Sequence, residues 1–237
     1  MNQVKKILNR IYKYGKDSFY EEVQKALKNK EKKFIITVNP EIMMNDDDVV
    51  QKMLNDKNVS LVPDGISIVK AARNLGIDIK ERITGVDLAD ELLNIANNCH
   101  YSLYLLGAKK DVVKTLAQKI ESDYPNINLL GFQDGYGNDK DKDMEKIIKL
   151  KPDIVLIALG VPMQEKLIYK HFNKAKKGIF IGVGGTFDCL SGSKKRAPKI
   201  FIKLNLEWLY RLIKEPSRLK RFWQNNIKFM FKVRKEK

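Results

Sequence analysis

"GIFIGVGGTFDCLSGSKKRAP", residues 178–198, decides the fold. An apolar run ends in a cluster of glycines, and the glycines give way to Lys194, Lys195 and Arg196. A short apolar run bounded by glycine predicts a strand buried on both faces, and such strands belong to parallel sheets covered by helices. The same pattern recurs upstream in "KFIITV", "VSLVP", "YSLYLLG", "INLLGF" and "DIVLIALG". Segments with helical spacing separate them: "VDLADELLNIANN", "DVVKTLAQKIESDY" and "DSFYEEVQKALKN", the last with Ser18 and Glu21 at capping-box spacing. The alternation predicts an α/β fold with a mostly parallel sheet and helices on both faces.

Polar and glycine residues crowd just after the strands, in "TVNPE", "VPDG", "LLGFQDGYG", "IALGVPMQE" and "GVGGTFD". In an open α/β sheet ligands bind beyond the carboxyl ends of the strands, so these five segments are expected to share one cleft. Turn-making alone would account for any one of them.

The 237 residues are 43% hydrophobic, which indicates a globular chain of one large domain, with or without an appendage. No apolar run approaches the ~20 residues of a membrane span. The N-terminal "MNQVKKILNRIYKYGKD" has no long apolar core, so no signal peptide is expected. Cys99 and Cys189 suggest a reducing compartment and are expected to be small buried packing residues. His100 and His171 stand in no metal-ligand spacing and are expected at the surface or at helix ends.

The net charge of +16 is unevenly spread. Residues 194–237 hold 15 Lys and Arg against 3 acidic residues, and residues 1–193 hold 30 against 26. The shift predicts a core of residues 1–193 and a basic, amphipathic helical appendage of residues 194–237 that meets a polyanion. In the appendage Trp208, Phe222, Trp223 and Met230 recur at helical spacing among Arg211, Arg218, Arg221 and Lys228. An anionic membrane interface suits that pattern, and so does a helical pair packed on the core. Nucleic acid suits it less, because long apolar residues exceed what phosphate contacts need.

The chemistry-bearing positions each carry two readings. Gly182, Gly184 and Gly185 would admit a diphosphate to backbone N–H groups, although their spacing is not that of a dinucleotide fold. Asp188 would bind a base or ribose, or cap local backbone. Asp64 in "PDG" would act as a general base, or simply make a turn. Thr37 and Asn39 would fix a substrate, or end a strand before a helix opening at Pro40. "NDDDVV", residues 45–50, has the Asp-x-Asp look of a metal site but the placing of a solvated helix start.

In chain order, "TVNPEIMM", "PDGISIV", "RITGVDL", "YLLGAK", "LLGFQDGYG", "PDIVLIALGVPMQE", "GVGGTFDCLSGSKKRAP" and "LEWLYRLIKEPSRLKRF" resemble the WecG/TagA/CpsF family of bacterial glycosyltransferases, most closely its TagA type. The resemblance spans nearly the whole chain, and its last three segments are the specific ones. It implies a Rossmann-like sheet and an inverting transfer of N-acetylmannosamine from UDP to undecaprenyl-diphosphate-linked N-acetylglucosamine, a step of wall teichoic acid linkage-unit synthesis. It implies no metal and no other cofactor. Another UDP-sugar, such as glucose or N-acetylmannosaminuronate, stays open as donor, and so does a nucleotide- or nucleic-acid-binding module without transfer chemistry.

Residue by residue, the resemblance makes Asp64 the base, with Thr37 and Asn39 lining the catalytic pocket and Arg82 placed for phosphate. Tyr136, Gln164, Glu165 and Asp188, with the three glycines, fall on the nucleotide side. Lys194, Lys195 and Arg196 begin an arm, continued by Arg211, Arg218 and Arg221, that serves a diphospho-lipid acceptor at an anionic membrane. The implied location is cytoplasmic, peripheral to the inner face of the cell membrane. Nucleic acid is not among the expected partners, and a homo-oligomer is left open. One departure is Cys189 in "FDCLSG", where an aromatic is commoner.

Overall fold

The computed structural model describes residues 3–137 and 139–235, and only the backbone of Arg218 and Arg221. The chain runs α1 (Gln3–Arg10), α2 (Lys16–Lys28), β1 (Lys32–Val38), α3 (Pro40–Met43), α4 (Asp48–Asn55), β2 (Val59–Pro63), α5 (Ile66–Asn74), α6 (Gly85–Cys99) and β3 (Ser102–Gly107). It continues with α7 (Lys110–Asp123), β4 (Asn128–Gln133), α8 (Lys140–Leu150), β5 (Ile154–Ala158), α9 (Met163–Phe172), β6 (Gly178–Gly182) and α10 (Thr186–Leu190). The C-terminal segment forms α11 (Lys199–Lys203), α12 (Glu207–Lys214), a 3₁₀ turn (Pro216–Arg218) and α13 (Leu219–Arg234).

All six expected strands form, in one parallel sheet of order β2-β1-β6-β5-β3-β4. Side chains alternate across it although both faces are buried. Phe34, Ile36, Val155, Ile157 and Phe180 point to the layer that holds α1, α3, α4, α5, α8, α9 and α13. Ile35, Ile154, Leu156, Ile179 and Ile181 point to the layer of α2, α6, α7 and α10. The result is the Rossmann-like α/β architecture, with β1 and β6 as interior neighbours whose carboxyl ends lie side by side.

Local expectations fared unevenly. The capping box at Ser18 does not form: α2 opens one turn earlier after Gly15, where the Lys16 amide donates to Glu81 Oε1 at 3.0 Å. Ser18 lies within the helix and accepts from the Tyr12 hydroxyl at 2.9 Å. Cys99 is exposed and Cys189 half-buried, because Cys99 ends α6 on its outer side and Cys189 borders an open hollow. His100 is exposed and ends α6 in a left-handed conformation, as a helix-end residue. His171 also lies in a last helical turn but is 2% exposed, wedged between α8 and α9 with Nε2 2.6 Å from Asp141 Oδ1.

The C-terminal segment divides its attachments. α12 lies over the carboxyl end of the sheet, whereas α13 returns to pack on α1, α3 and α5, burying Phe229 and Val233 in the core. Trp208 and Phe222 stack between them, ring centroids 5.0 Å apart.

Candidate active site

Two hollows adjoin at the carboxyl ends of β1, β2 and β6. The smaller, about 170 Å³, is walled by Thr37, Asp64, Arg82, Thr84, Glu207 and Arg211 among others. The larger, about 390 Å³, is walled by Asp188, Lys194, Lys195, Arg196, Tyr210 and Lys214 among others. Gly185 and Arg211 border both.

Backbone bonds set the smaller hollow. The Asp64 amide donates to Val38 O at 2.8 Å, which carries the β1–β2 pairing one residue past the strand and leaves the carboxylate at its end. The Ile83 amide donates to Pro63 O at 2.7 Å, which brings the Arg82–Thr84 loop alongside. Thr84 then caps α6: its hydroxyl accepts from the Asp87 amide at 3.2 Å and donates to the Asp87 carboxylate at 2.7 Å. The positive end of a fifteen-residue helix thus opens on the hollow.

Burial pushes the Asp64 carboxyl up to about 6, against the pull of Arg211 and Arg82, and Glu207 and Asp87 push the same way as burial. A carboxylate so tuned accepts a proton near neutral pH, which suits a general base. Burial also works to raise Asp87, but the Thr84 and Arg196 hydrogen bonds outweigh it and hold that carboxyl below its usual range.

The arginines converge on two carboxylates. Arg82 Nη2 donates to Ile202 O at 3.3 Å and lies 3.8 Å from Glu207 Oε2. Arg211 Nη2 donates to Glu207 Oε1 at 2.8 Å. Arg196 Nη2 donates to Asp87 Oδ1 at 2.6 Å, and its buried Nε has no hydrogen-bond partner, 3.7 Å from Glu207 Oε1.

Thr37, Asp64, Arg82 and Arg211 therefore share one hollow, and Asp188, Lys194, Lys195 and Arg196 border its neighbour. Asp188 is half-buried, with Lys194 Nζ 3.8 Å away. Lys194 also donates to Glu215 at 2.8 Å. Asn39 does not line either hollow: its side chain accepts from the Ile42 amide at 3.0 Å and caps α3, with Pro40 in the first turn. Tyr136 is 65% exposed in the loop after edge strand β4, away from both hollows.

Gln164 and Glu165 are buried behind the glycine loop. Gln164 Oε1 accepts from the Gly160 amide at 3.1 Å and the Gly184 amide at 3.0 Å, and Nε2 donates to Glu165 Oε1 at 2.7 Å. Gly182 is bare because Gln164 crosses it: a Cβ there would meet the amide at 2.5 Å. Gly184 has φ +52°, a left-handed turn that lets its amide face Gln164. Of the three glycines, only Gly185 borders the hollows. The arginines Arg218 and Arg221 have side chains outside the described part. In "NDDDVV", Asp47 caps α4 through the Val49 and Val50 amides and pairs with Lys166 at 2.8 Å, which is helix-start chemistry.

Sequence reasoning missed Glu207, Thr84 and Asp87. Glu207 left a signal, one of three acids among fifteen cations in the C-terminal stretch. Thr84 and Asp87 stood at capping-box spacing inside "RITGVDL".

Comparison with known proteins gives this geometry a family. Residues 6–237 match the model of the glycosyl transferase WecG/TagA/CpsF family. A Bacillus subtilis (strain 168) protein named N-acetylglucosaminyldiphosphoundecaprenol N-acetyl-beta-D-mannosaminyltransferase is 45% identical over 190 residues, 79% of this chain and 73% of the relative. A Staphylococcus aureus (strain MW2) protein of the same name is 38% identical over 207 residues, 86% of this chain and 80% of the relative. With a match over almost its whole length, the chain belongs to the WecG/TagA/CpsF family of glycosyltransferases.

Proposed function

We propose that this chain transfers N-acetylmannosamine from UDP to N-acetylglucosamine on undecaprenyl diphosphate, with inversion at the anomeric carbon, in wall teichoic acid linkage-unit synthesis. The observation that carries the reading is the placing of Asp64, raised to about 6, in the smaller hollow with Arg82 and with Arg211, which borders both hollows. The relatives' shared name supports the choice of sugar and acceptor.

The donor's nucleoside takes the hollow at Asp188, its diphosphate the shared border at Arg211, and its sugar the hollow at Asp64. The acceptor's C4 hydroxyl gives its proton to Asp64 as its oxygen bonds the anomeric carbon, and the bond from that carbon to the diphosphate oxygen breaks, releasing UDP. The proton's destination matters electrostatically. Asp64 loses its charge as the departing diphosphate gains one, so Arg82 and Arg211 pass from a carboxylate to the leaving group. These cations and the start of α6 supply the positive field, so no metal is required in this reading.

The lipid acceptor calls for a membrane surface. Among the described residues no helix is long and apolar enough to cross a bilayer. Leu204, Trp208, Ile213, Trp223, Met230 and Phe231 are nevertheless exposed on α12, α13 and the turn after α11, among the cations of the C-terminal stretch. We place this face peripherally on the anionic inner leaflet.

The test is a turnover assay on a short-chain lipid-diphosphate acceptor, with a panel of UDP-sugars and EDTA present. The reading expects turnover with UDP-N-acetylmannosamine above the other donors, undiminished by EDTA. Preference for UDP-glucose or a uronate donor would reassign the sugar, and rescue of a silent reaction by manganese would reassign the chemistry.

A further inference from the structure

We propose that Glu207 is a positioning residue of the transfer reaction: its one buried carboxylate gathers Arg82, Arg196 and Arg211 from three separate segments, setting Arg82 and Arg211 in the Asp64 hollow and Arg196 in its neighbour. The proposal rests on the reading of that hollow as the transfer site.

Glu207 is 4% exposed and is the first residue of α12. Its two oxygens face different partners. Oε1 accepts from Arg211, one turn along the same helix, at 2.8 Å, and Oε2 faces Arg82, from the loop before α6, at 3.8 Å. Arg196, from the loop after α10, approaches Oε1 at 3.7 Å while it is held by Asp87 at 2.6 Å. The Glu207–Arg211 bond is internal to α12, as helical i,i+4 spacing dictates. The other two contacts join α12 to the loops before α6 and after α10. One carboxylate of α12 thus meets arginines from three segments, beside the Arg82–Ile202 and Arg196–Asp87 bonds that also tie the C-terminal segment to the core.

Charge explains why an anion is needed there. Three guanidinium groups this close repel one another unless an anion lies among them. Asp64, Asp87 and Glu207 balance Arg82, Arg196 and Arg211, three against three. At a helix start a negative side chain such as Glu207 is also favoured by the dipole. Without it the arginines would swing to solvent or fold onto Asp64. Asp64 is faced by Arg82 and Asp87 from the core and by Arg211 and Glu207 from α12, and Glu207 is one of the two acids that offset the arginines there.

The experiment compares Glu207→Gln and Glu207→Asp with the unaltered chain in three ways. Turnover is followed against pH, UDP affinity by calorimetry, and trypsin cleavage within residues 194–214 by mass. Glu207→Gln is expected to lower kcat about 10- to 100-fold with a clearly smaller loss of UDP affinity, to move the acid limb of the pH profile downward, and to speed cleavage at least about tenfold. Glu207→Asp is expected to restore the position of the acid limb. An unchanged acid limb and an unchanged cleavage rate in Glu207→Gln would overturn the proposal. So would losses in kcat and UDP affinity of equal size, which indicate a general structural role. If Glu207→Gln does not fold, Arg82→Gln, which leaves Glu207 bonded to Arg211, must show the faster cleavage or the proposal fails. If the unaltered chain turns over no donor, the transfer reading has failed on its own, and the cleavage comparison still decides whether Glu207 gathers the arginines.

Discussion

The Ile83 amide donates to the Pro63 carbonyl at 2.7 Å, and this one bond lays Arg82 beside Asp64. Burial and the acids Glu207 and Asp87 then outweigh the two arginines and bring the Asp64 carboxyl to about 6. A base must be unprotonated to act. kcat/KM should accordingly rise with pH through about 6 and level off above it, read over a series of buffers. A limb near the ordinary carboxylate value would show that burial does not govern this group in the working enzyme.

Glu165 makes the opposite kind of prediction, one about stability. It is 1% exposed, and burial brings its carboxyl to about 7 despite the Gln164 hydrogen bond, while one oxygen has no partner. A folded value above the unfolded one means that the folded chain holds the proton more tightly. The associated stability is complete below the unfolded value near 4.5 and is lost as pH rises through about 7. Glu165→Gln should therefore gain stability relative to the unaltered chain above pH 7, on the order of a few kcal/mol, and gain almost nothing at pH 4.5. Urea unfolding at the two pH values measures the difference.

The strands were legible because a strand buried on both faces writes itself as an apolar run, as "DIVLIALG" and "GIFIGVG" do. Asp64 was legible because a carboxylate directly after such a run falls at the sheet's carboxyl edge. Asn39 shows the limit: the same position suits a substrate contact and a helix cap, and the Ile42 amide takes its oxygen. His171 and Gln164 were illegible for another reason. Their burial is created by partners 30 and 20 residues away, Asp141 and Gly184, which no local pattern reveals. Glu207 stood out as a rare acid in a basic stretch, but its burial did not show, since an acid in a basic amphipathic helix reads as solvated.

The C-terminal segment is bound to the core more firmly than its composition suggests. Phe229 is 1% exposed against α1, α3 and α5. Phe229→Ala should cost about 3 kcal/mol in chemical denaturation, a core-cavity value. A chain ending at Ser193 should accordingly be less stable as well as inactive. A cost below about 0.5 kcal/mol would mean that α13 is only laid on the surface.

The exposed apolar residues of α12 and α13 predict lipid binding. Trp223→Ala with Phe231→Ala should weaken co-sedimentation with phosphatidylglycerol vesicles several-fold, and raised salt should weaken it further, because each nearby cation is worth about 1 kcal/mol at an anionic surface. Turnover on a water-soluble acceptor should survive both changes. Equal vesicle binding by the altered chain would return this face to some other contact.

Asp64→Asn tests the central claim most directly. The substitution removes the proton acceptor and keeps the shape, so the variant should fold, bind UDP with unchanged affinity, and transfer N-acetylmannosamine to the lipid-diphosphate acceptor about 10²- to 10⁴-fold more slowly. Transfer within a few-fold of the unaltered chain, by a variant that folds and binds UDP normally, would contradict it.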